Sequence, residues 1–161
     1  MLMDDNRYLS KELRNSGEPV IGADFGLRGV MEMVRQVAPR QTPVLLLGET
    51  GVGKDVIANA IHELSSRSDC PFIKVNCAAI PDELIESELF GHEKGSFTGA
   101  VRKQMGKFVA ADGGTIFLDE IGDIPMNTQT RILRALDQRE ITRIGETSPR
   151  QIDIRIVAAT N

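Results

Sequence analysis

The stretch Gly48-Glu49-Thr50-Gly51-Val52-Gly53-Lys54 constrains the fold more than any other part of the chain. It fits the pattern GxxxxGK. Before it stands Val44-Leu45-Leu46-Leu47, a continuously apolar run, and after it Ile57, Ala60, Ile61 and Leu64 recur at helical spacing. A buried strand, a glycine-rich turn and an amphipathic helix in that order make a phosphate-binding loop. The glycines let the backbone curl so that successive N–H groups point inward, at the positive end of the following helix. Lys54 then reaches the β- and γ-phosphates as a point charge. The alternative is a glycine-rich turn with an incidental lysine, and seven constrained positions with the right flanks weigh against it. Asp55 stands where most such loops carry Ser or Thr, whose hydroxyl binds magnesium directly. A carboxylate there holds the ion through a water instead.

The rest of the chain alternates in the same way. Leu27, Val30, Met31, Val34 and Val37 mark an amphipathic helix, with Asp24 as N-cap and Pro39 as its stop. The run at 44 to 47, bounded by Pro43 and Gly48, suits a parallel strand buried on both faces. A helix is predicted over 54–64, a strand at Phe72-Ile73-Lys74-Val75 and a helix over 82–89. A third strand follows at Thr115-Ile116-Phe117-Leu118, then a helix over 129–136 with Ile132, Leu133 and Leu136 inward. Ile154-Arg155-Ile156-Val157-Ala158 makes a fourth strand. This alternation predicts an α/β fold, a parallel sheet between two helical layers. Residues 1–17 carry only a narrow stripe of Tyr8, Leu9 and Leu13, and read either as a linker helix or as a solvated tail. The domain proper begins near residue 18.

Ligands in open α/β sheets gather at the carboxyl ends of the strands. Asp119-Glu120 follow the third strand at once, where Asp119 can hold Mg2+ and Glu120 can align and polarise an attacking water. Alone, the pair reads as a helix cap and a surface acid; coupled to the phosphate loop in one sheet, the chemical reading wins. Thr160-Asn161 end the fourth strand, where polar side chains can sense a γ-phosphate, although such a pair is by itself an ordinary turn. Asn76 closes the second strand in the same way.

Composition removes several other classes. The net charge is −4 and no Lys/Arg run exceeds Arg102-Lys103, so direct reading of DNA by this segment is not expected. Cys70, Cys77, His62 and His92 show no metal-ligand spacing, and the cysteines read as thiols in a reducing cytoplasm. No apolar stretch approaches 18 residues, so no membrane association is expected.

Between Phe90 and Phe108 lies GHEKGSFTGAVRKQMGK, far longer than a compact connection needs. Glycines flank Phe97 and Thr98, and an aromatic at the tip of an exposed loop has partner contact as its natural use. Gly95-Ser96-Phe97-Thr98-Gly99-Ala100 resembles the GAFTGA signature of the bacterial enhancer-binding proteins, the AAA+ activators of sigma-54 polymerase. The similarity runs from about Val20 to Asn161. It takes in GETGVGKD, VNCAAIP at 75–81, ESELFGHEKGSFTGA at 86–100, GGTIFLDEIGDIP at 113–125 and RIVAATN at 155–161. An acidic residue after the lysine is usual in that family, which accounts for Asp55.

The resemblance implies an AAA+ P-loop fold, ATP and Mg2+ as ligands, and a cytoplasmic protein. It also implies roles. Phe97 and Thr98 would touch sigma-54 at the tip of a loop that ATP hydrolysis raises and lowers, remodelling a closed promoter complex. Asn76 would be a switch on Glu120, Thr160 and Asn161 the first sensor, and Ile21-Gly22 part of the adenine site. The stretch 140–151, with Arg143 and Gly145, would be a second loop that supports the first. Ser96 replaces the commoner Ala, and Val109 stands where the family generally has Glu. If that acid normally pairs with a second-loop arginine, this chain lacks the pair and is coupled differently.

The family's domain continues past the first sensor to arginine fingers, a further strand beside the phosphate-loop strand, a lid and a helix-turn-helix. The expectation is thus of an ATPase domain incomplete at its C-terminal end, with 44–47 left as an apolar edge and slow hydrolysis in isolation. The whole protein is expected to form a homo-oligomeric ring and to bind DNA only through a C-terminal domain. The alternative is a nucleotide-dependent scaffold that does not act on polymerase.

Overall fold

The computed structural model describes residues 20–161; the expected linker helix or tail over 1–17 lies outside the described residues. Contacts divide the chain into Met1–Met33 and Val34–Asn161. In the first unit, residues 21–27 form successive turns, with Ala23 N–H donating to Val20 O and Leu27 N–H to Gly22 O. Helix α1 begins only afterwards, at Arg28–Val37. Asp24 is therefore not its N-cap: the backbone donors there are already satisfied by the turns. Pro39 lies just past the helix end, as predicted.

The second unit runs through β1 Val44–Leu47, α2 Lys54–Glu63, β2 Phe72–Asn76, α3 Asp82–Phe90 and the two-residue strands β3 Gly91–His92 and β4 Gln104–Met105. It continues with the short helix α4 Lys107–Ala110, β5 Thr115–Asp119, α5 Met126–Gln138, β6 Glu140–Ile141, β7 Arg150–Gln151 and β8 Arg155–Thr160. Four strands form one parallel sheet in the order β1-β8-β5-β2. Two antiparallel hairpins, β3-β4 and β6-β7, stand apart from it.

The central strands are the most apolar and the most buried. β5 reads TIFLD with all but Asp119 buried, and β8 reads RIVAAT with all but Thr160 buried. Their side chains join Val75, Leu89, Phe90, Phe108 and Ile132 in one core. Phe90 stacks on Phe108 at 5.1 Å between centroids, and the Arg131 guanidinium covers its other side at 4.5 Å while pairing with Glu86.

Three expectations need correction. β1 is not buried on both faces: among the described residues it pairs only with β8, its burial alternates, and Leu47 is 73% exposed. Leu64 falls just beyond α2 and is exposed. Helix α5 starts earlier than predicted, directly after Pro125, and turns Thr128, Ile132 and Ala135 inward, leaving Leu133 in solvent.

Candidate functional site

Register decides what shares the carboxyl rim of the sheet. Leu118 pairs with Ala158 and Ala158 with Leu45, so the next residues, Asp119, Ala159 and Leu46, stand level. Asn76 joins that level as the direct partner of Asp119, and Thr160 is the partner of Leu47 at the next. The phosphate-loop motif leaves β1 at the same place, with Gly48 N–H donating to Thr160 O at 3.3 Å. Residues from four separate stretches of sequence thus meet at one edge.

The loop itself is built as its glycines require. Gly51 and Gly53 have φ of 83° and 91°, in the left-handed region where a side chain is strained. Gly53 sits at the N-cap of α2, where no side chain satisfies the first helical N–H groups. Residues Glu49 to Val52 face solvent. Lys54 folds back across the loop, its Nζ donating to Gly48 O at 2.6 Å and Glu49 O at 2.8 Å. Asp55 lies in the first turn of α2, at the positive end of the helix.

Across the rim, Asp119 Oδ1 accepts the Glu120 N–H at 3.0 Å. Glu120 is held at φ 54°, ψ 46°, a left-handed conformation costing on the order of 1 kcal/mol for a residue with a Cβ. A tight turn over Ile121–Asp123 follows, closed by Asp123 N–H donating to Glu120 O. Asn76 Oδ1 accepts from Ala78 N–H at 3.1 Å and caps the turn Cys77–Ala79, so in this state its carbonyl serves its own turn rather than Glu120. Cys77 lies buried beneath the acids; burial, then the charges of Asp119, Asp123 and Glu120, push its thiol up to about 12. Asn161 is exposed beyond Thr160. Ile21 and Gly22 belong to the first unit, where Ile21 is 93% exposed and Gly22 has φ 88°.

The glycine-flanked segment is a closed loop. Gly95 N–H donates to Ala100 O at 2.8 Å and Ala100 N–H to Phe97 O at 3.0 Å. Ala100 is buried and seats the base, whereas Thr98 and Gly99 face solvent. Phe97 is 39% exposed rather than free: its ring meets His92 edge-on at 5.0 Å. His92 in turn contacts Ser87 Oγ through Nδ1 at 2.6 Å and Arg102 O through Nε2 at 2.9 Å, tying the start of the loop to its end. Arg143, Gly145 and Val109 line a cavity of about 460 Å³, and Gly145 stands against Ser96 of the loop.

A family model described as "Sigma-54 interaction domain" matches residues 20–161, the whole described chain. The chain belongs to the sigma-54 interaction domain family. Among curated relatives of this sigma-54 interaction domain is the Nif-specific regulatory protein of Enterobacter agglomerans, 52% identical over 89% of the chain and 28% of the relative. The DNA-binding transcriptional activator HyfR of Escherichia coli is 48% identical over 99% of the chain and 24% of HyfR. Among solved structures, NtrX from Brucella abortus in complex with ATP has 33% identity and a TM-score of 0.84, over 97% of the chain and 33% of NtrX. The chain therefore spans about a quarter to a third of the length of these proteins. Its parallel α/β fold and its family agree with the sequence reading.

Two features of the sigma-54 interaction domain escaped sequence reading. Gly122 and the turn it sits in press on Thr160, a closeness only register reveals. Glu93 binds the base of the loop, and here a signal existed: it is the one acidic residue between Phe90 and Phe108.

Proposed function

We propose that this chain is the nucleotide-driven core of a sigma-54-dependent transcription activator. The backbone of residues 48–53 and the Lys54 ammonium take the triphosphate of ATP, Lys54 exchanging the carbonyls of Gly48 and Glu49 for phosphate oxygens. Such an exchange is nearly even in hydrogen bonds and gains a charge-assisted pair.

The donors on the rim suit Mg2+. They are oxygens: Asp119, with one carboxylate oxygen occupied by the Glu120 N–H, and Asp55 through a water. Mg2+ is ordinarily held by one or two carboxylates together with phosphate and water, which fits so sparse a set. When bound, it neutralises charge developing on the triphosphate oxygens. Glu120 orients and deprotonates the attacking water. Thr160 and Asn161 sense the γ-phosphate, and Asn76, one strand from Asp119, restrains Glu120.

The loop 95–100 carries the output: Phe97 and Thr98 touch sigma-54, Gly95, Ser96 and Gly99 give the tip its freedom, and Ala100 anchors it. Hydrolysis moves the loop and so remodels the closed promoter complex of sigma-54 RNA polymerase. In the whole protein, residues 18–161 form the first part of the ATPase domain, subunits assemble in a ring, and DNA is read elsewhere. No helix among the described residues is long and apolar enough to cross a membrane, and a cytoplasmic location follows from the transcriptional role.

The observation that supports this reading most is the gathering of Lys54, Asp119, Asn76 and Thr160 at one rim by strand register. NtrX, similar over 97% of this chain, was solved with ATP. The test is titration calorimetry of the complete protein with ATP and Mg2+, beside promoter opening with sigma-54 polymerase. Lys54→Ala should remove the binding heat, and Thr98→Ala should keep it but lose opening. Undiminished opening by Thr98→Ala would leave a nucleotide-binding scaffold instead.

A further inference from the structure

The loop that carries Phe97 and Thr98 is not fastened to the sheet. It is fastened to the turn at 143–146 between β6 and β7. Glu93 N–H donates to Ile144 O and Ile144 N–H to Gly91 O, each at 3.0 Å. The Glu93 carboxylate takes Lys103 Nζ at 2.6 Å and Arg143 Nη1 at 3.2 Å. Its own carbonyl accepts Ser96 Oγ at 2.8 Å and Ser96 N–H at 3.2 Å. One residue therefore holds both ends of the loop, positions 93 and 103, and the neighbouring turn.

The turn is shaped to receive the loop. Gly145 stands at φ 88°, and a Cβ on it would meet Ser96 Cβ at 2.7 Å, so only glycine allows the approach. Arg143 has two acids, Glu93 at 3.2 Å and Glu146 at 3.6 Å. Val109 is buried against the same cavity and brings no charge. The hydrogen bond and charge of Lys103, with the hydrogen bond from Arg143, hold the Glu93 carboxyl below its ordinary range, so it is ionised at neutral pH.

The path of the chain says what this fastening does. The backbone runs from Asp119 and Glu120 through α5 into β6, crosses the 143–146 turn, and returns through β7 and β8 to Thr160. The turn is thus inserted between two rim residues, and a shift of either end of that segment reaches Arg143. From Arg143 the direct ionic route to the loop is Glu93.

We infer that Glu93 is the positioning residue that couples the 143–146 turn to the sigma-54-contacting loop, through Arg143 and Lys103. The inference rests on the proposed role of the loop, but its mechanical part can be tested without that role.

The measurement is hydrogen–deuterium exchange at the Gly95 and Ala100 amides of the complete protein, beside capture of purified sigma-54 and steady-state ATP turnover. In Glu93→Gln the two amides should exchange roughly fivefold faster, as expected for loss of partly exposed ion pairs. Capture should fall by about tenfold while turnover stays within about twofold, because Glu93 is remote from the rim chemistry. The paired swap Glu93→Arg with Arg143→Glu keeps the 93–143 pair but sets Lys103 against a cation and Glu146 against an anion, so it should restore slow exchange and capture in part, above the level of Glu93→Gln. Unchanged exchange in Glu93→Gln overturns the coupling, as does faster exchange with undiminished capture. Thr98→Ala separates the two ideas. If it captures sigma-54 as well as the wild type, the loop's role falls, and exchange in Glu93→Gln and in the swap still decides whether Glu93 couples loop and turn.

Discussion

The α-carbon of Gly122 faces the hydroxyl of Thr160 so closely that a methyl group there would stand 3.0 Å from Oγ1. The turn after Glu120 and the end of β8 therefore set each other's position. Gly122→Ala is permitted by backbone conformation, since its φ is not in the left-handed region, so the whole effect falls on this contact. We expect about 1 kcal/mol of lost stability from the crowding and roughly tenfold slower ATP turnover from the displaced rim. Calorimetric affinity for ATP should change little. Turnover equal to wild type would mean that the contact has no bearing on the chemistry.

Glu120 is strained in the place where it is proposed to act. Its φ of 54° and ψ of 46° suit Asn far better than Glu, because Asn tolerates the left-handed region. The same exchange removes one negative charge from a cluster with Asp119 and Asp123. Glu120→Asn should therefore raise the unfolding free energy by about 0.5–1 kcal/mol while lowering hydrolysis by at least about a hundredfold. Urea unfolding and phosphate release on the same preparation check both halves. A destabilised variant would show that the left-handed conformation is not a cost in this protein.

How much of this was legible beforehand differs from residue to residue. The phosphate loop, Asp119-Glu120, Asn76 and Thr160 could be read because each follows an apolar run, and strand ends are visible as changes in hydropathy. What could not be read was adjacency. The sheet order β1-β8-β5-β2 joins residues more than a hundred apart, and nothing local encodes that β8 separates β1 from β5. The exposure of Leu133 was missed for a related reason: periodicity finds an apolar face but not whether anything covers it, whereas the exposed edge at Leu47 was expected from the strand the resemblance places beside it. Phe97 was read as a free tip, and the edge contact with His92 depends on a loop geometry that glycine spacing leaves undetermined.

Cys77 gives the protein a defined weakness at high pH. Its thiol titrates at about 12 in the folded chain against 9.0 for the ordinary group, because burial and the nearby carboxylates oppose the thiolate. Below pH 9 both folded and unfolded chains hold the proton, and Cys77 makes stability neither rise nor fall. Between pH 9 and 12 the unfolded chain releases it first, so stability drops by up to about 1.4 kcal/mol per pH unit. Cys77→Ala should flatten that decline, by the difference in unfolding free energy between pH 8.5 and 10.5, whatever constant offset its smaller volume brings. The companion thiol of Cys70 is only half buried and should react with thiol reagents first. An identical alkaline slope in wild type and Cys77→Ala would place the titrating group elsewhere.

Arg155 opens β8 as a charged residue in an otherwise apolar strand, and it is 1% exposed. Among the described residues no carboxylate pairs with it. Its Nη1 donates to Ala38 O at 2.6 Å and its Nη2 to Val37 O at 2.8 Å, the carbonyls at the C-terminal end of α1, while Nε finds no partner among the described residues. A buried cation without an anion survives here because the end of a helix concentrates unpaired carbonyls and partial negative charge. Arg155→Met keeps most of the volume but leaves Ala38 O buried without this donor and Val37 O with only the Arg40 N–H, so we expect a loss of about 2 kcal/mol in urea unfolding. Arg155→Lys reaches a single carbonyl and should lose about half as much. Nucleotide affinity of the remaining folded protein should be unchanged, since β8 contacts the phosphate rim only at its other end, Thr160. If Arg155→Met were as stable as the wild type, water or a shifted backbone would have to satisfy Ala38 O, and the charge at the start of β8 would have no structural purpose.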